Sequence, residues 1–395
     1  MTISTVTFQN DALNQFNALD TTISQTENEL STGTILPNAA ANPVAVTQVN
    51  QLNAELSASQ QYVSNGNAAS ANLKLEEQAL TGATTLLQSA QSLAVQANDG
   101  SLTSADRQDI ATQLQQILGQ LVATANSTDT NGNYLFAGTA SQTRPFAQSG
   151  SSVSYSGATE VNQVEIGPNQ FISTGDSGSS VFMNVPAGNG TFTTAAGAGN
   201  TGTASIDTGS VTDASDWVPD VYTISFTSPT QYTVTNSSGT PVAAGTFTSG
   251  DAITFAGVSV TVTGTPAAGD SFSVTPAATA SMFATLSSLV SALNSTSINS
   301  GQLTSQLNAV NQQLGNAVNQ LDDVQASVGS RINAVTASQT SAQTDQTTLQ
   351  SSISQLSDTD YTTATTQLST EEIALQAAEE SYASVSKLSL FNYLG

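Results

Sequence analysis

A heptad pattern of apolar residues at both ends of the chain constrains its fold more than any other sequence feature. Near the C-terminus the steps alternate three and four residues, with Glu371 as the one interruption. The series is Tyr361, Ala364, Leu368, Glu371, Leu375, Ala378, Tyr382 and Val385. The same alternation runs near the N-terminus through Phe16, Leu19, Ile23, Thr26 and Leu30. Because a helix cannot bury such a stripe against itself, the pattern predicts two terminal helices that require partner helices.

The C-terminal end adds a dense apolar tail at a position where chains usually fray, and we interpret it as a contact surface. Periodicity alone leaves open whether the stripes dock on the chain's own core or on neighbouring subunits. The residues predicted to form an assembly interface are Phe16, Leu19, Ile23, Leu30, Tyr361, Leu368, Leu375, Ala378, Tyr382, Val385, Leu388, Leu390, Phe391 and Leu394.

The charge balance excludes several classes of function. The chain has 5 Lys and Arg against 29 Asp and Glu, which gives a net charge of -24. A chain without a basic cluster is a poor ligand for nucleic acid or an anionic membrane. It also contains no Cys and no His, so it lacks thiolates, the commonest general base and the commonest metal ligand. We therefore expect a protein that is not an enzyme and that holds no cofactor or metal.

The N-terminal sequence also bears on localisation. Its first twenty residues lack the basic start and the apolar run of a secretory signal peptide. No stretch reaches the roughly 18 apolar residues of a membrane span. We expect a protein that does not insert into membranes and that leaves the cell, if it does, without a cleaved leader.

Punctuating residues divide the first part of the chain into helices. Gly33 stops the first helix, and Pro43 fits the first turn of the next one. The second helix is predicted to pass through the weak patch at 65–67. Thr103, with Asp106 three residues later, resembles a capping box at the start of a return helix.

From about Pro145 to Pro276 the sequence changes to short alternating runs rich in Gly, Thr, Ser and Val. Asn131-Gly132 before Tyr134 predicts a turn entering a strand, and residues 188–203 are predicted to be a loop. The predicted strands are 153–155 and 161–166 as one pair, then 222–226, 232–234, 246–248, 253–255, 258–262 and 272–274 as an antiparallel meander or small barrel.

These patterns predict an α+β multidomain protein. Long coiled-coil-like helices from both chain ends form a rod-like bundle that carries an inserted antiparallel β domain. The predicted domains are an N-terminal assembly helix (1–40), the first half of the helical rod (41–144), a β-rich outer domain (145–276), the second half of the rod (277–354) and a C-terminal assembly helix (355–395).

Few residues suggest a chemical site. Asp129, Asn131 and Asn133 have the alternate spacing of calcium ligands, but the Gly and Glu that such a loop needs are absent, so we predict no metal there. Adjacent acidic residues point about 100° apart on a helix, so they cannot act as a carboxylate dyad and are predicted to be solvated. These pairs are Glu76-Glu77, Asp322-Asp323, Glu371-Glu372 and Glu379-Glu380.

The single Trp217 has Asp213, Asp216 and Asp220 nearby in the sequence. An aromatic ring among carboxylates could form a glycan or cation site. The alternative is a linker that leads into the β-rich segment. The sequence favours the linker but does not exclude the site.

Four motifs resemble the flagellar hook-associated protein 3 family: Leu30–Gly33 followed by a Pro-containing loop, Leu93–Asn98, Gly132–Thr139 and Leu388–Leu394. The resemblance covers about residues 1–140 and 280–395, and the strands at 217–276 look like inserts of hook-associated proteins. Two positions depart from the family pattern. Where the family has a basic residue in the first loop, this chain has Thr34. Where the family has Asp-Asp-Pro, this chain has Ala41-Asn42-Pro43.

The resemblance implies a secreted, flagellin-like structural subunit of the bacterial flagellum, involved in motility. It would form the hook–filament junction and couple hook-associated protein 1, on the hook side, to flagellin. The implied terminal helices pair and line an inner tube, while the β domain faces solvent. The implied partners include a flagellar export chaperone and further copies in a ring. Type III export would place the protein outside the cell.

Two other functions remain open. Flagellin itself shares the terminal helical plan, although Gly132–Thr139 and the Phe391–Leu394 ending favour the junction family. A secreted adhesin or glycan-acting protein, with the helices as a stalk, would need a site near Trp217.

Overall fold

The computed structural model describes residues 5–35 and 42–394, except for the side chains of residue 5 and of residues 387–394. Two compact units make up the chain: residues 65–338 form one, and the remaining residues on either side form the other. The described helices are α1 (Thr5–Thr32), α2 (Pro43–Ala97), α3 (Ser104–Ala125), α4 (Met282–Asn294), α5 (Ser300–Ser357) and α6 (Tyr361–Leu394).

The strands of the described chain lie between residues 146 and 280. They are β1 (Phe146–Ser149), β2 (Ser152–Tyr155), β3 (Gln163–Gly167), β4 (Gln170–Ser173), β5 (Val185–Pro186), β6 (Phe192–Ala196), β7 (Ser205–Ile206), β8 (Ser210–Val211), β9 (Tyr222–Ser228), β10 (Gln231–Thr235), β11 (Pro241–Thr246), β12 (Ala252–Phe255), β13 (Val258–Thr263), β14 (Ser271–Pro276) and β15 (Thr279–Ala280). A π-helical turn spans Ser179–Met183.

Local sequence signals set the helix ends. Gly33 adopts a φ of 70° and ends α1, and Pro43 begins α2. The helix α2 runs unbroken through residues 65–67, as predicted. The predicted capping box is confirmed, because Thr103 Oγ1 accepts a hydrogen bond from Asp106 N at 3.2 Å while Asp106 Oδ2 accepts one from Thr103 N at 2.9 Å.

The first hydrophobic core lies among α2, α3, α4 and α5 within residues 65–338. Leucines at heptad spacing supply it, and they include Leu73, Leu80 and Leu87 of α2 and Leu114 and Leu121 of α3. Aromatic rings from outside the long helices complete it, with neighbouring centroids 5.1 to 5.8 Å apart among Phe136, Phe146, Phe182 and Phe283. The segment that follows α3 is therefore part of the helical core.

The strand pairing predicted between 153–155 and 161–166 is wrong. Each strand pairs with its sequence neighbour, so β1 with β2 and β3 with β4 form two separate hairpins. Residues in left-handed conformation explain why each strand pairs with its sequence neighbour. Gly150 (φ 60°) reverses the chain between β1 and β2, and Asn169 (φ 57°) reverses it between β3 and β4. The strand predicted after Gly132 is also absent, because residues 134–139 form turns and isolated bridges.

Strands β6 to β14 form a second structure with its own core, which we call the β module. Its five-stranded sheet has the order β11-β10-β9-β14-β6, and its other sheet has the order β12-β13-β7 with β8 also paired to β13. All pairs are antiparallel. Phe192, Ile224, Phe226, Val260 and Phe272 are among its buried residues. The predicted outer domain at 145–276 therefore contributes to both cores.

Two details of the β module correct the sequence prediction. Residues 188–203 are not only a loop, because they include strand β6, which pairs with β14. Phe192 and Thr194 point inward at the strand period, but the surrounding Gly and Ala residues obscure this signal. The strand predicted at 246–248 is β11 and ends at Thr246.

Polar side chains of α5 bind the backbone of the β module and of β5 beside it, and we call them the polar face of α5. Gln302 Nε2 donates to Gly197 O at 2.9 Å, and Ser305 Oγ accepts from Ile206 N at 3.0 Å. Asn316 Nδ2 donates to Gly188 O at 2.7 Å and to Pro186 O at 2.9 Å. These bonds satisfy backbone groups that would otherwise lose water on packing.

The predicted fold class is confirmed: α+β, with long helices from both chain ends and an inserted antiparallel β domain. Among the described helices, none combines the length and apolar content needed to cross a membrane. The five-domain division, including assembly helices at 1–40 and 355–395, stays a prediction.

Candidate assembly interface

The two terminal heptad stripes pack against each other as an antiparallel pair, α1 with α6. At one end of the pair the Tyr382 ring lies between two phenylalanines of α1. Its centroid is 6.2 Å from that of Phe8, in a stacked arrangement, and 5.8 Å from that of Phe16, edge to face. Aromatic pairs in these geometries add stability beyond the area that they bury. Thus the chain itself covers a large part of both stripes.

The other end of the pair is closed by backbone hydrogen bonds. Thr359 N donates to Gly33 O at 2.9 Å, and Thr359 Oγ1 donates to Glu29 O at 3.1 Å. Asp360 then caps α6, because its Oδ1 accepts from Thr362 N at 3.0 Å. These bonds lower the pKa of the Asp360 carboxyl, with the Thr363 side chain as the largest cause. The segment between α5 and α6 therefore caps both helices of the pair.

The predicted interface residues fall into three groups. Those in the contact between α1 and α6 are half-buried: Phe16, Leu19, Ile23, Leu30, Leu368, Leu375, Ala378 and Tyr382. Tyr361 and Val385 remain 55% and 42% exposed. The side chains of Leu388, Leu390, Phe391 and Leu394 lie outside the described part of the chain. A role in contacts between subunits stays a prediction for all three groups.

Sequence periodicity missed several apolar residues that point away from the α1–α6 contact. Val6 and Leu13 of α1 are 62% and 55% exposed, and Ile373 of α6 is 65% exposed. Val6 and Leu13 lie seven residues apart and therefore share one face of the helix. Exposed β-branched and leucine side chains on a helix pair are candidates for contacts with a neighbouring chain.

The Gly132–Thr139 motif forms a tight turn beside α2 and the residues before the π-helical turn. Gly138 has a φ of 61°, and an added Cβ would lie 2.3 Å from Ala158 O and 2.4 Å from Glu160 O. The buried Phe136 ring anchors the turn in the first core. Only glycine satisfies both the backbone angle and the close approach.

The carboxylate oxygens of Asp129 accept hydrogen bonds from residues of this turn. Its Oδ1 accepts from Asn131 N and Asn133 N, each at 2.8 Å, and its Oδ2 accepts from Asn133 Nδ2 at 2.9 Å. A polar cavity of about 120 Å³ beside the turn is lined by Asp129 and Asp176, among other residues. In the described ranges no three His, Cys, Asp or Glu side chains gather in a way that could hold a metal ion.

The expectation that Glu76 is solvated is wrong. Its side chain is 1% exposed, its Oε1 accepts from Asp176 N at 3.0 Å, and the structure gives Oε2 no hydrogen-bond partner among the described residues. Arg331 of α5 pairs with the Asp176 carboxylate and donates to Gly175 O at 3.3 Å. Burial, followed by the Asp176 charge, raises the pKa of Glu76 from 4.5 to about 8, and Arg331 opposes this rise.

A sequence signal for this burial did exist. Glu76 lies three residues after Leu73 and four before Leu80, so it occupies a core position of the α2 heptad. Glu77, one residue further, is exposed. The adjacency of Glu76 and Glu77 excludes a carboxylate dyad, but the heptad position of Glu76 places its side chain toward the core.

Trp217 is partly buried and packs against the core of the β module. Its ring centroid lies 5.7 Å from that of Phe192 and 5.8 Å from that of Tyr222. Asp213 serves a local turn, where its Oδ1 accepts from Ser215 N at 2.8 Å. The aromatic ring is therefore used in packing.

Family models of known proteins match three parts of the chain. The bacterial flagellin N-terminal helical region matches residues 3–141, and the bacterial flagellin C-terminal helical region matches residues 312–394. Between them, the D2-like domain of flagellar hook-associated protein 1 matches residues 195–276. The last match corresponds to the β module.

Individual relatives agree with these matches. Flagellar hook-associated protein 3 of Escherichia coli K12 is 32% identical over 157 residues, which are 40% of this chain and 49% of the relative. The chain thus spans about half the length of the curated relatives it matches. The crystal structure of Xanthomonas campestris FlgL is 34% identical, with a TM-score of 0.71, and the match covers 76% of this chain and 98% of that one. Flagellar hook-associated protein 3 of Legionella pneumophila is 30% identical, with a TM-score of 0.73 and coverage of 78% and 98%.

An antiparallel pair of terminal helices, with a helical core and a β module between them, defines a flagellin-like protein of the hook-associated class. Within that class, identity of 30% and 34% to solved structures that are matched over nearly their whole length is decisive. The chain belongs to the flagellar hook-associated protein 3 family, and the resemblance seen in the sequence is confirmed.

Proposed function

We propose that this chain is a structural, non-enzymatic subunit of the bacterial flagellum that forms the junction between hook and filament. One observation carries the proposal. The two chain ends that resemble flagellin form a single helix pair, and the part between them includes a module similar to a domain of hook-associated protein 1. A subunit with features of both neighbours is suited to join a hook-side protein to a filament.

The proposed partners are hook-associated protein 1 on the hook side and flagellin on the filament side, together with further copies of this chain in a ring. A flagellar export chaperone would bind the chain before assembly. The exposed apolar residues of the α1–α6 pair, among them Leu13 and Ile373, support contacts with neighbouring helices. The proposal places the protein outside the cell, at the flagellum, after type III export without a cleaved signal peptide.

Flagellin is the second candidate, because the same N- and C-terminal flagellin regions match the chain. The D2-like match at 195–276 favours the junction role, since it corresponds to a hook-associated protein. An adhesin or glycan-acting role loses support because the partly buried Trp217 ring packs against Phe192 and Tyr222.

Antibody labelling of isolated hook–basal bodies with attached filaments tests the proposal. A single labelled band at the distal end of the hook is expected. Labelling along the filament would assign the chain to flagellin. The absence of label from both places would refute a structural role in the flagellum. A strain lacking the gene serves as the control, and it should retain hooks while it releases unattached flagellin into the medium.

A further inference from the structure

The heptad stripes of α1 and α6 each contain one buried or half-buried polar residue, and these two residues meet. Thr26 is 3% exposed, and its hydroxyl lies 3.1 Å from Glu371 Oε2. The hydroxyl also lies 3.0 Å from Thr22 O, so its single proton can serve either acceptor. The other carboxylate oxygen, Glu371 Oε1, accepts from Gln367 Nε2 at 2.8 Å. The charge that interrupts the α6 stripe therefore has a partner at one place on α1.

Sliding the helices by one heptad destroys this match in either direction. In one slip Glu371 comes opposite Leu19, and Thr26 comes opposite Ala364. In the other slip Glu371 passes the end of α1 at Gly33 and Thr26 comes opposite Ala378. The apolar residues do not discriminate as strongly, because a stripe repeats itself after seven residues. A carboxylate placed against leucine loses water and the hydrogen bond from Thr26, and it keeps only the bond from Gln367 on its own helix.

We infer that Thr26 and Glu371 set the register of the α1–α6 pair and exclude heptad-shifted partner helices from the same chain or a neighbouring one. A single polar residue within an apolar seam is known to select register and partner at some cost in stability. Such selection matters where many copies of the same two helices would be crowded together. The inference concerns the pairing of the helices and does not depend on the junction role.

Disulfide trapping in the full chain tests the inference, because the chain has no native Cys. Phe16→Cys with Tyr382→Cys reports the observed register, since the two rings are in contact. Phe16→Cys with Leu375→Cys reports the slip that brings Glu371 to Leu19. Both reporters are oxidised at low protein concentration, and each is measured with and without Glu371→Leu. The matched control is Glu372→Leu, which removes a carboxylate from an exposed neighbouring position.

Glu371→Leu is expected to lower the ratio of native to slipped crosslink roughly tenfold or more. The control and Glu371→Gln, which keeps a hydrogen-bond acceptor for Thr26, should leave the ratio near that of the parent. The inference is overturned if Glu371→Leu leaves the ratio unchanged, or if either of the other two variants shifts it equally. It is also overturned if the parent gives no native crosslink, because α1 and α6 would then not pair as observed.

Discussion

The buried carboxyl of Glu76 makes the stability of the helical core depend on pH in an unusual direction. Two acids, Glu76 and Asp176, share the single base Arg331, so a second negative charge in this buried site is poorly compensated. Glu76 therefore keeps its proton in the folded chain up to a pKa of about 8, whereas its reference value is 4.5. At a pH between these two pKa values, the chain takes up a proton at Glu76 when it folds.

The sign and size of the effect follow from linkage. The contribution of Glu76 is fully present below pH 4.5 and is lost as pH rises through about 8, because the unfolded chain then holds fewer protons than the folded one. At about 1.4 kcal/mol for each step of pKa, the largest possible loss is on the order of 5 kcal/mol. Local relaxation and entry of water would reduce it to roughly 2–3 kcal/mol.

The assay is urea unfolding between pH 5 and pH 9, followed by far-ultraviolet circular dichroism. The free energy of unfolding should fall across this range. Glu76→Gln should remove most of the slope, because its amide oxygen still accepts from Asp176 N and it has no charge to bury. Glu77→Gln, on the exposed neighbour, should keep the slope. An equal slope in Glu76→Gln, or a stability that rises with pH through Glu76, would refute the reasoning.

Three further variants test separate parts of the structure. Gly138→Ala should lower the free energy of unfolding by roughly 2–3 kcal/mol, and Gly132→Ala should lower it less. Both glycines have a positive φ, but only at Gly138 would an added Cβ meet backbone oxygens, and thermal melts compare the two variants. Asn316→Ala should cost about 1 kcal/mol and speed amide exchange near the β module boundary. Leu375→Asp should open the α1–α6 pair to proteolysis and release filaments, whereas exposed Ser384→Asp should do neither.

Local and periodic features of this fold were predictable from sequence. Capping at Thr103 and the end of α1 at Gly33 depend on residues within one turn of each other, so the sequence signal is complete. The stripes of α1 and α6 were predicted for the same reason. Their pairing with each other was an implication of the family resemblance, because periodicity does not name a partner.

Besides the local hairpins β1–β2 and β3–β4, several non-local features were not predicted from the sequence. The strand at Phe192 was not predicted, because its partner β14 lies about eighty residues away in the chain. The heptad position of Glu76 predicts that its side chain faces the core, but its partners Asp176 and Arg331 lie far away in the sequence and were not predicted. The role of Glu371 could not be predicted either. In the sequence it only interrupts the apolar stripe of α6, and its hydrogen-bond partner Thr26 is on the other helix.

The two parts of the β-rich segment differ in whether they can be removed without unfolding the helical core. Residues 146–186 contribute Phe146 and Phe182 to the helical core, so their deletion should unfold it. The β module is different, because it has a separate core, and Ala187 N donates to Ala278 O at 2.9 Å where the two connections meet. A Gly-Ser turn of about four residues can therefore join 187 to 278.

This deletion should leave the helical core folded. It uncovers the polar face of α5, and such side chains can exchange backbone partners for water at little cost. The far-ultraviolet spectrum of the deleted chain should stay strongly helical, with one cooperative melt and retained filament attachment. A matched chain lacking 146–186 should fail to fold. Loss of cooperative melting after deletion of the β module would show that the helical core depends on it. Normal folding with lost attachment would instead assign the module an obligatory contact in the assembled flagellum.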